Sequence, residues 1–126
     1  MSPAPPTLLL VDDEPRILAA LRRSLRREGY EILTAESVPE ALTLLAEHSV
    51  DLIVSDHKMP GHNGLEFLDE VARRHPGIPR IVLTGWPEEI PAQELARLGI
   101  GALLPKPWDD GVLKQEIRAR VKPGGS

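Results

Sequence analysis

Five residues stand where apolar runs stop: Asp12 and Asp13, then Asp56, Thr84 and Lys106. Each follows a short stretch rich in Leu, Ile or Val, as in LLLVDD, DLIVSD, IVLT and ALLPK. A carboxylate at the end of a buried run costs free energy unless something neutralises it. Three carboxylates brought into one pocket repel each other. Either one is protonated at a raised pKa or a cation joins them. Hard oxygen ligands suit Mg²⁺, which keeps several waters and uses one or two carboxylates. A lysine adds a second positive charge and a threonine a hydroxyl for an oxyanion. A carboxylate nucleophile with those three neighbours is chemistry suited to a phosphoryl group held on an aspartate.

That reading requires the fold to bring together residues 94 positions apart at the extremes. The alternation along the chain predicts that it does. Residues 7–11, 31–35, 50–55, 80–83 and 101–104 read as short strands. Helical patterns follow them: 14–28 with Leu18, Leu21 and Leu25 inward, and one opened by the capping box Ser37/Glu40 with Val38, Ala41, Leu42 and Leu45 inward. The next are 64–74 with Leu65, Leu68 and Ala72 inward, 88–98, and a last one starting near Asp109 with Leu113, Ile117 and Val121 inward. Gly29 and Gly99 are natural stops. Five β-α units with right-handed crossovers give an α/β fold, a doubly wound parallel sheet with helices on both faces. In such sheets, sites form at the carboxyl ends of the strands. All five polar residues fall there.

The length of 126 residues suits one domain, with 1–6 a Pro-rich disordered segment, 7–121 the folded part and 122–126 a tail or linker. No cysteine is present, which excludes disulfides and thiolate metal sites. No signal peptide or membrane-length apolar run is visible, so a cytoplasmic location is expected. Net charge is −4, and the dense basic group Arg22, Arg23, Arg26 and Arg27 reads as a solvated helix face rather than a nucleic-acid patch. The histidines 48, 57, 62 and 75 have no spacing suited to zinc and read as surface residues. Met59-Pro60-Gly61 reads as turn chemistry, and Trp108 as a cover for the start of the last helix.

LLLVDDEP, DLIVSDHKMPGHNGLEFL, IVLTG and LLPKPW, in this order and spacing, resemble the receiver domain of two-component response regulators over about residues 7–121. The resemblance implies a flavodoxin-like (βα)5 sheet of strand order 2-1-3-4-5. It implies that Asp56 is a phosphoacceptor taking a phosphoryl group from a sensor histidine kinase or a histidine phosphotransfer protein. Asp13 would bind Mg²⁺ or Mn²⁺ directly and Asp12 largely through water. The backbone carbonyl of Lys58 would be a further ligand beside Asp56. Thr84 and Lys106 would engage the phosphoryl group, and Pro107 would follow a cis peptide bond. Such a domain catalyses only its own phosphorylation and dephosphorylation, and it is not an enzyme in the ordinary sense.

Three positions depart from the common pattern or vary within it. Leu103 stands where many receivers carry a switch aromatic. Trp86 and Lys58, each two residues past a site residue, flank the expected path of the hydrolytic water. The implied readout surface for an output domain or downstream protein is about 88–121, and the first helix is the implied kinase-docking surface. Neither direct nucleic-acid binding nor a membrane role is implied. The alternative is a pseudo-receiver, an interaction module that is never phosphorylated. A haloacid-dehalogenase-type phosphatase would need D-x-D after the first strand, where the chain has Asp12-Asp13-Glu14. A flavodoxin-like electron carrier would need a phosphate loop where those acids stand.

Overall fold

The computed structural model describes residues 5–59 and 62–121. Strands β1 (Thr7–Val11), β2 (Glu31–Ala35), β3 (Leu52–Asp56), β6 (Arg80–Thr84) and β7 (Ile100–Pro105) form one parallel sheet in the order β2-β1-β3-β6-β7. Numbered among themselves, these strands run 2-1-3-4-5, the order implied by the sequence. Two short strands, β4 (Lys58–Met59) and β5 (His62–Asn63), pair antiparallel after β3. Sequence patterning gave only a turn there, because two-residue strands carry no periodicity. The turn residues Pro60 and Gly61, and the tails 1–4 and 122–126, lie outside the described residues.

The sheet is apolar on both faces, as a parallel sheet between helices must be. On one face Leu8, Leu10, Leu52, Val54, Ile81 and Leu83 pack against α1 (Pro15–Leu25) and α5 (Asp110–Arg120). On the other, Leu9, Val11, Ile53 and Val82 meet α2 (Val38–Glu47) and α3 (Gly64–Arg74). Leu18, Leu21 and Leu25 are buried on α1 as their spacing predicts. Each such side chain contributes about 1.5–3 kcal/mol on burial. On α3 the buried residues include Phe67, Leu68 and Val71, while Ala72 is only half-buried; Leu65 has no described side chain.

Local signals set the element ends. Ser37 Oγ accepts from Glu40 N–H at 3.2 Å, and Glu40 Oε1 accepts from Glu36 N–H at 2.7 Å, so the capping box forms with its return bond shifted one residue back. α1 ends at Leu25, three residues short of the expected 28, and the chain then turns at Gly29, whose φ is +85°. The segment expected as one helix over 88–98 is divided. A 3₁₀ turn spans Pro87–Glu89, and α4 is confined to Ala92–Arg97. Pro91 explains the break: it has no N–H to donate and drives Ile90 out of helical dihedrals, to ψ +111°. No helix among the described residues is long and apolar enough to cross a membrane.

Candidate functional site

Strand register carries the polar residues to one edge. Val11 pairs with Ser55, Asp56 with Leu83, and Thr84 with Pro105. The positions just beyond or at these ends, Asp12, Asp56, Thr84 and Lys106, therefore lie side by side. Lys106 N–H donates to Thr84 C=O at 2.8 Å, which extends the ladder by one bond and fixes the lysine's backbone. The Lys106–Pro107 peptide bond is cis.

One carboxylate oxygen from each of Asp12, Asp13 and Asp56 lies within 4.8 Å of the other two. Asp12 is almost fully buried and Asp13 is half-buried. Asp12 Oδ1 accepts from Glu14 N–H at 2.9 Å, which turns the chain into α1. Lys106 Nζ donates to Asp12 Oδ2 at 2.7 Å and stands 3.3 Å from Asp56 Oδ2. Burial pulls the Lys106 ammonium down, but the bond to Asp12, its charge and that of Asp56 outweigh this and leave its pKa raised above 10.5. The lysine is thus held charged between two acids. Three carboxylates around one cation leave a net negative site of hard oxygens, a donor set suited to a divalent ion.

Thr84 is fully buried, and its Oγ1 accepts from Trp86 N–H at 3.0 Å. Asp13 and Asp56 open into a cleft of about 320 Å³, lined also by Thr84, Gly85, Trp86 and Lys106. Trp86 stands at its rim, 56% exposed. Leu103 is half-buried in β7 and packs on the core of the α2/α3 face. Lys58 opens β4, but its side chain lies outside the described residues.

Two features escaped the sequence. His57 is not a surface residue: it is 5% exposed, with Nε2 3.7 Å from Glu89 Oε2, and it joins the end of β3 to the 3₁₀ turn. Nothing in the local pattern marks this burial, because the covering segment comes from 32 residues further along the chain. Trp108 does more than cover a helix start. Its Nε1–H donates to Asp110 Oδ1 at 3.0 Å, and Ser24 Oγ donates to the same oxygen at 2.7 Å. That ties the segment after Lys106 to α1.

A family model described as the response regulator receiver domain matches residues 8–118. The chain is 39% identical over 117 residues to the transcriptional regulatory protein GlrR of Escherichia coli (strain K12), covering 93% of this chain and 26% of GlrR. It is 42% identical over 127 residues to the hydrogenase transcriptional regulatory protein HoxA of Cupriavidus necator, covering 99% of this chain. It spans 26% of the length of each of these relatives. Among solved structures, the signal receiver domain of an HD domain-containing protein from Pseudomonas fluorescens Pf-5 superposes with a TM-score of 0.87 at 33% identity, over 95% of this chain and 89% of that one. The response regulator TrrA of Thermotoga maritima, solved in complex with Mg(2+)-BeF, gives 0.82 at 32% identity, over 92% and 99%. The sheet order and the motif set lead to the same place as these matches: the chain belongs to the response regulator receiver domain family.

Proposed function

We propose that Asp56 accepts a phosphoryl group from a phosphohistidine on a sensor kinase or histidine phosphotransfer protein. One observation carries the reading: three carboxylates from two strand ends lie within 4.8 Å of each other, beside an ammonium 3.3 Å from the one on β3. In the reaction an Asp56 oxygen attacks phosphorus in line, the P–N bond breaks, and the imidazole leaves with the bond's electron pair.

The donor set fits Mg²⁺ or Mn²⁺. One oxygen of each of the three acids already lies within 4.8 Å of the other two, an all-oxygen set among which a hard divalent ion would be held. Asp12, Asp13, Asp56 and the backbone carbonyl of Lys58 would hold it. When bound, the ion supplies positive charge that offsets repulsion between the acids and the incoming phosphoryl oxygens. Lys106 supplies the second positive charge and moves from sharing two acids to pairing with a phosphoryl oxygen. Thr84, buried at the neighbouring strand end, donates its hydroxyl hydrogen to another.

That inward pull on Thr84 is the switch. With Leu103 in place of an aromatic, no ring rotation in β7 can follow it. The coupling instead runs through Trp86, whose N–H is bonded to Thr84, and on through the 3₁₀ turn to α4. The surface of about residues 88–121 is read by an output domain or a downstream protein, and the two states pre-exist in equilibrium. The chain turns over no separate substrate, acts in the cytoplasm, and binds neither nucleic acid nor membrane directly. The receiver unit is 7–121, with 1–6 and 122–126 as flanking segments.

The rival is an interaction module that is never phosphorylated, and Leu103 is the feature that favours it. Intact mass after incubation with acetyl phosphate and Mg²⁺ decides between them. A gain of one phosphoryl group, lost in Asp56→Asn and lost without the divalent ion, is the expected result. No gain in the parent protein, with no change on adding beryllofluoride, would establish the rival.

A further inference from the structure

Exposed arginines away from α1 are paired with acids. Arg73 meets Asp69, Arg74 meets Glu70, Arg97 meets Glu94 and Asp69, and Arg118 meets Glu28. On α1 and the turn after it, Arg22, Arg23 and Arg26 are exposed, and none of them has an ion pair among the described residues. A solvated helix face accounts for their exposure. It does not account for Arg22 and Arg26 standing four residues apart on a helix that contains no acid, because like charges at that spacing disfavour the helix.

The three share a pocket. Together with Tyr30, Glu31 and Ile32 they line a depression of about 420 Å³, a size in the range of small-molecule sites. Helix geometry carries the three guanidinium groups within an arc of about 100°. Strand β2 is the outermost strand on this side of the sheet. Tyr30 and Ile32, just before and within it, are half-buried and pack on the core of the α1/α5 face. The pocket therefore joins a cationic side to an apolar, partly aromatic one, with a single carboxylate between them. Burial and the charge of Glu28 outweigh that of Arg118 and raise the Tyr30 pKa above 10.0, so its hydroxyl is neutral and able to donate.

This pocket lies at the opposite end of the sheet from the acids. Glu31 pairs with Thr7 at the amino end of β1, whereas Asp12 follows Val11 at its carboxyl end. The strand between spans roughly 13 Å at about 3.3 Å per residue.

We propose that the pocket binds a nucleotide, a small ligand that joins phosphates to a planar base. Guanidinium forks match phosphate oxygens in pairs. The base has a face to lay against the Tyr30 ring. Glu31 repels a ligand that is anionic throughout, and it accepts from a ribose hydroxyl or a base amine. Free phosphate or pyrophosphate would leave Tyr30 and Ile32 without a contact. A longer nucleic acid fits less well, because a chain of net charge −4 whose other exposed arginines are paired with acids offers no continuing track for a phosphate backbone.

The test titrates ¹⁵N-labelled protein with ADP in metal-free buffer. Pyrophosphate, adenosine and a short single-stranded DNA serve as comparisons. ADP should shift the amides of residues 22–32 and leave those of Asp12, Asp56 and Thr84 in place. Its affinity should fall by about tenfold or more in Arg22→Gln/Arg26→Gln. Tyr30→Leu keeps an apolar side chain and removes the ring, and should cost ADP about fivefold or more while leaving pyrophosphate unaffected. The spectrum of each variant reports that the fold is intact. Pyrophosphate or adenosine binding as tightly as ADP, tighter binding of the DNA, indifference of ADP to either variant, or no shift of residues 22–32 at millimolar ADP would each overturn the inference. The titration uses neither a divalent ion nor a phosphoryl donor, so its outcome is independent of the phosphoacceptor reading of Asp56.

Discussion

Trp86 and Lys106 occupy opposite roles at the same cleft. Lys106 is shared between Asp12 and Asp56 and balances part of their charge. Trp86 contributes no charge, and it lines the same cleft as Asp56 while staying largely exposed. An acyl phosphate there would be hydrolysed by a water arriving from the open side. Replacing the indole removes part of that cover. Trp86→Ala is expected to speed dephosphorylation by about fivefold, roughly 1 kcal/mol of barrier. The decay of aspartyl phosphate after acetyl phosphate is removed gives the rate. A decay as slow as the parent's would mean that the ring does not shield the site.

Between elements, the joints are made by side chains that sequence periodicity does not reveal. Asp110 joins α1 to α5 by accepting from Ser24 and Trp108. The Ser24 bond, with a smaller part from Trp108, holds its carboxyl below the ordinary 3.8. Because the folded value is the lower one, this joint contributes its full stability above 3.8 and loses it as pH falls through the folded value. The indole N–H resonance of Trp108 should therefore titrate with a midpoint below 3.8. A midpoint at or above that value would show that the joint does not depend on the carboxylate. A second joint lies at the far end of the sheet. Gly99 has φ +64°, and a Cβ there would sit 2.7 Å from the guanidinium of Arg80, itself buried with Nε bonded to Gly99 C=O at 3.4 Å. Gly29 has φ +85° but open space around it. Gly29→Ala should cost about 1 kcal/mol from backbone strain alone, and Gly99→Ala about 2 kcal/mol or more because Arg80 must also move. Urea denaturation of the two variants gives the comparison, and equal losses would remove the contact from the account.

For the molecule as a whole, the acid cluster is held at a cost to stability. Asp13 has no ion-pair partner among the described residues, and it adds a third negative charge next to Asp12 and Asp56. Asp13→Asn should raise the stability of the metal-free protein by about 1 kcal/mol. If the three acids hold Mg²⁺ as proposed, the ion should raise the Tm of the parent by mass action, and by less in this variant. Thermal unfolding in chelator and in a Mg²⁺ series tests both; a variant less stable than the parent without metal would mean that Asp13 has a structural role instead. The sequence by itself determined the alternation of strands and helices, the inward faces of α1 and α2, and the polar residues at the ends of four strands. Those follow from short-range periodicity and from where an apolar run stops. The break of α4 at Pro91 was also written in the chain, yet the apolar spacing on either side masked it. Only the tertiary structure decided that His57 is covered, that Lys106 bridges Asp12 and Asp56, and that Trp108 and Ser24 converge on Asp110. Each of these depends on the distance between residues far apart in the chain, and that distance is set by strand register and helix packing rather than by any local pattern.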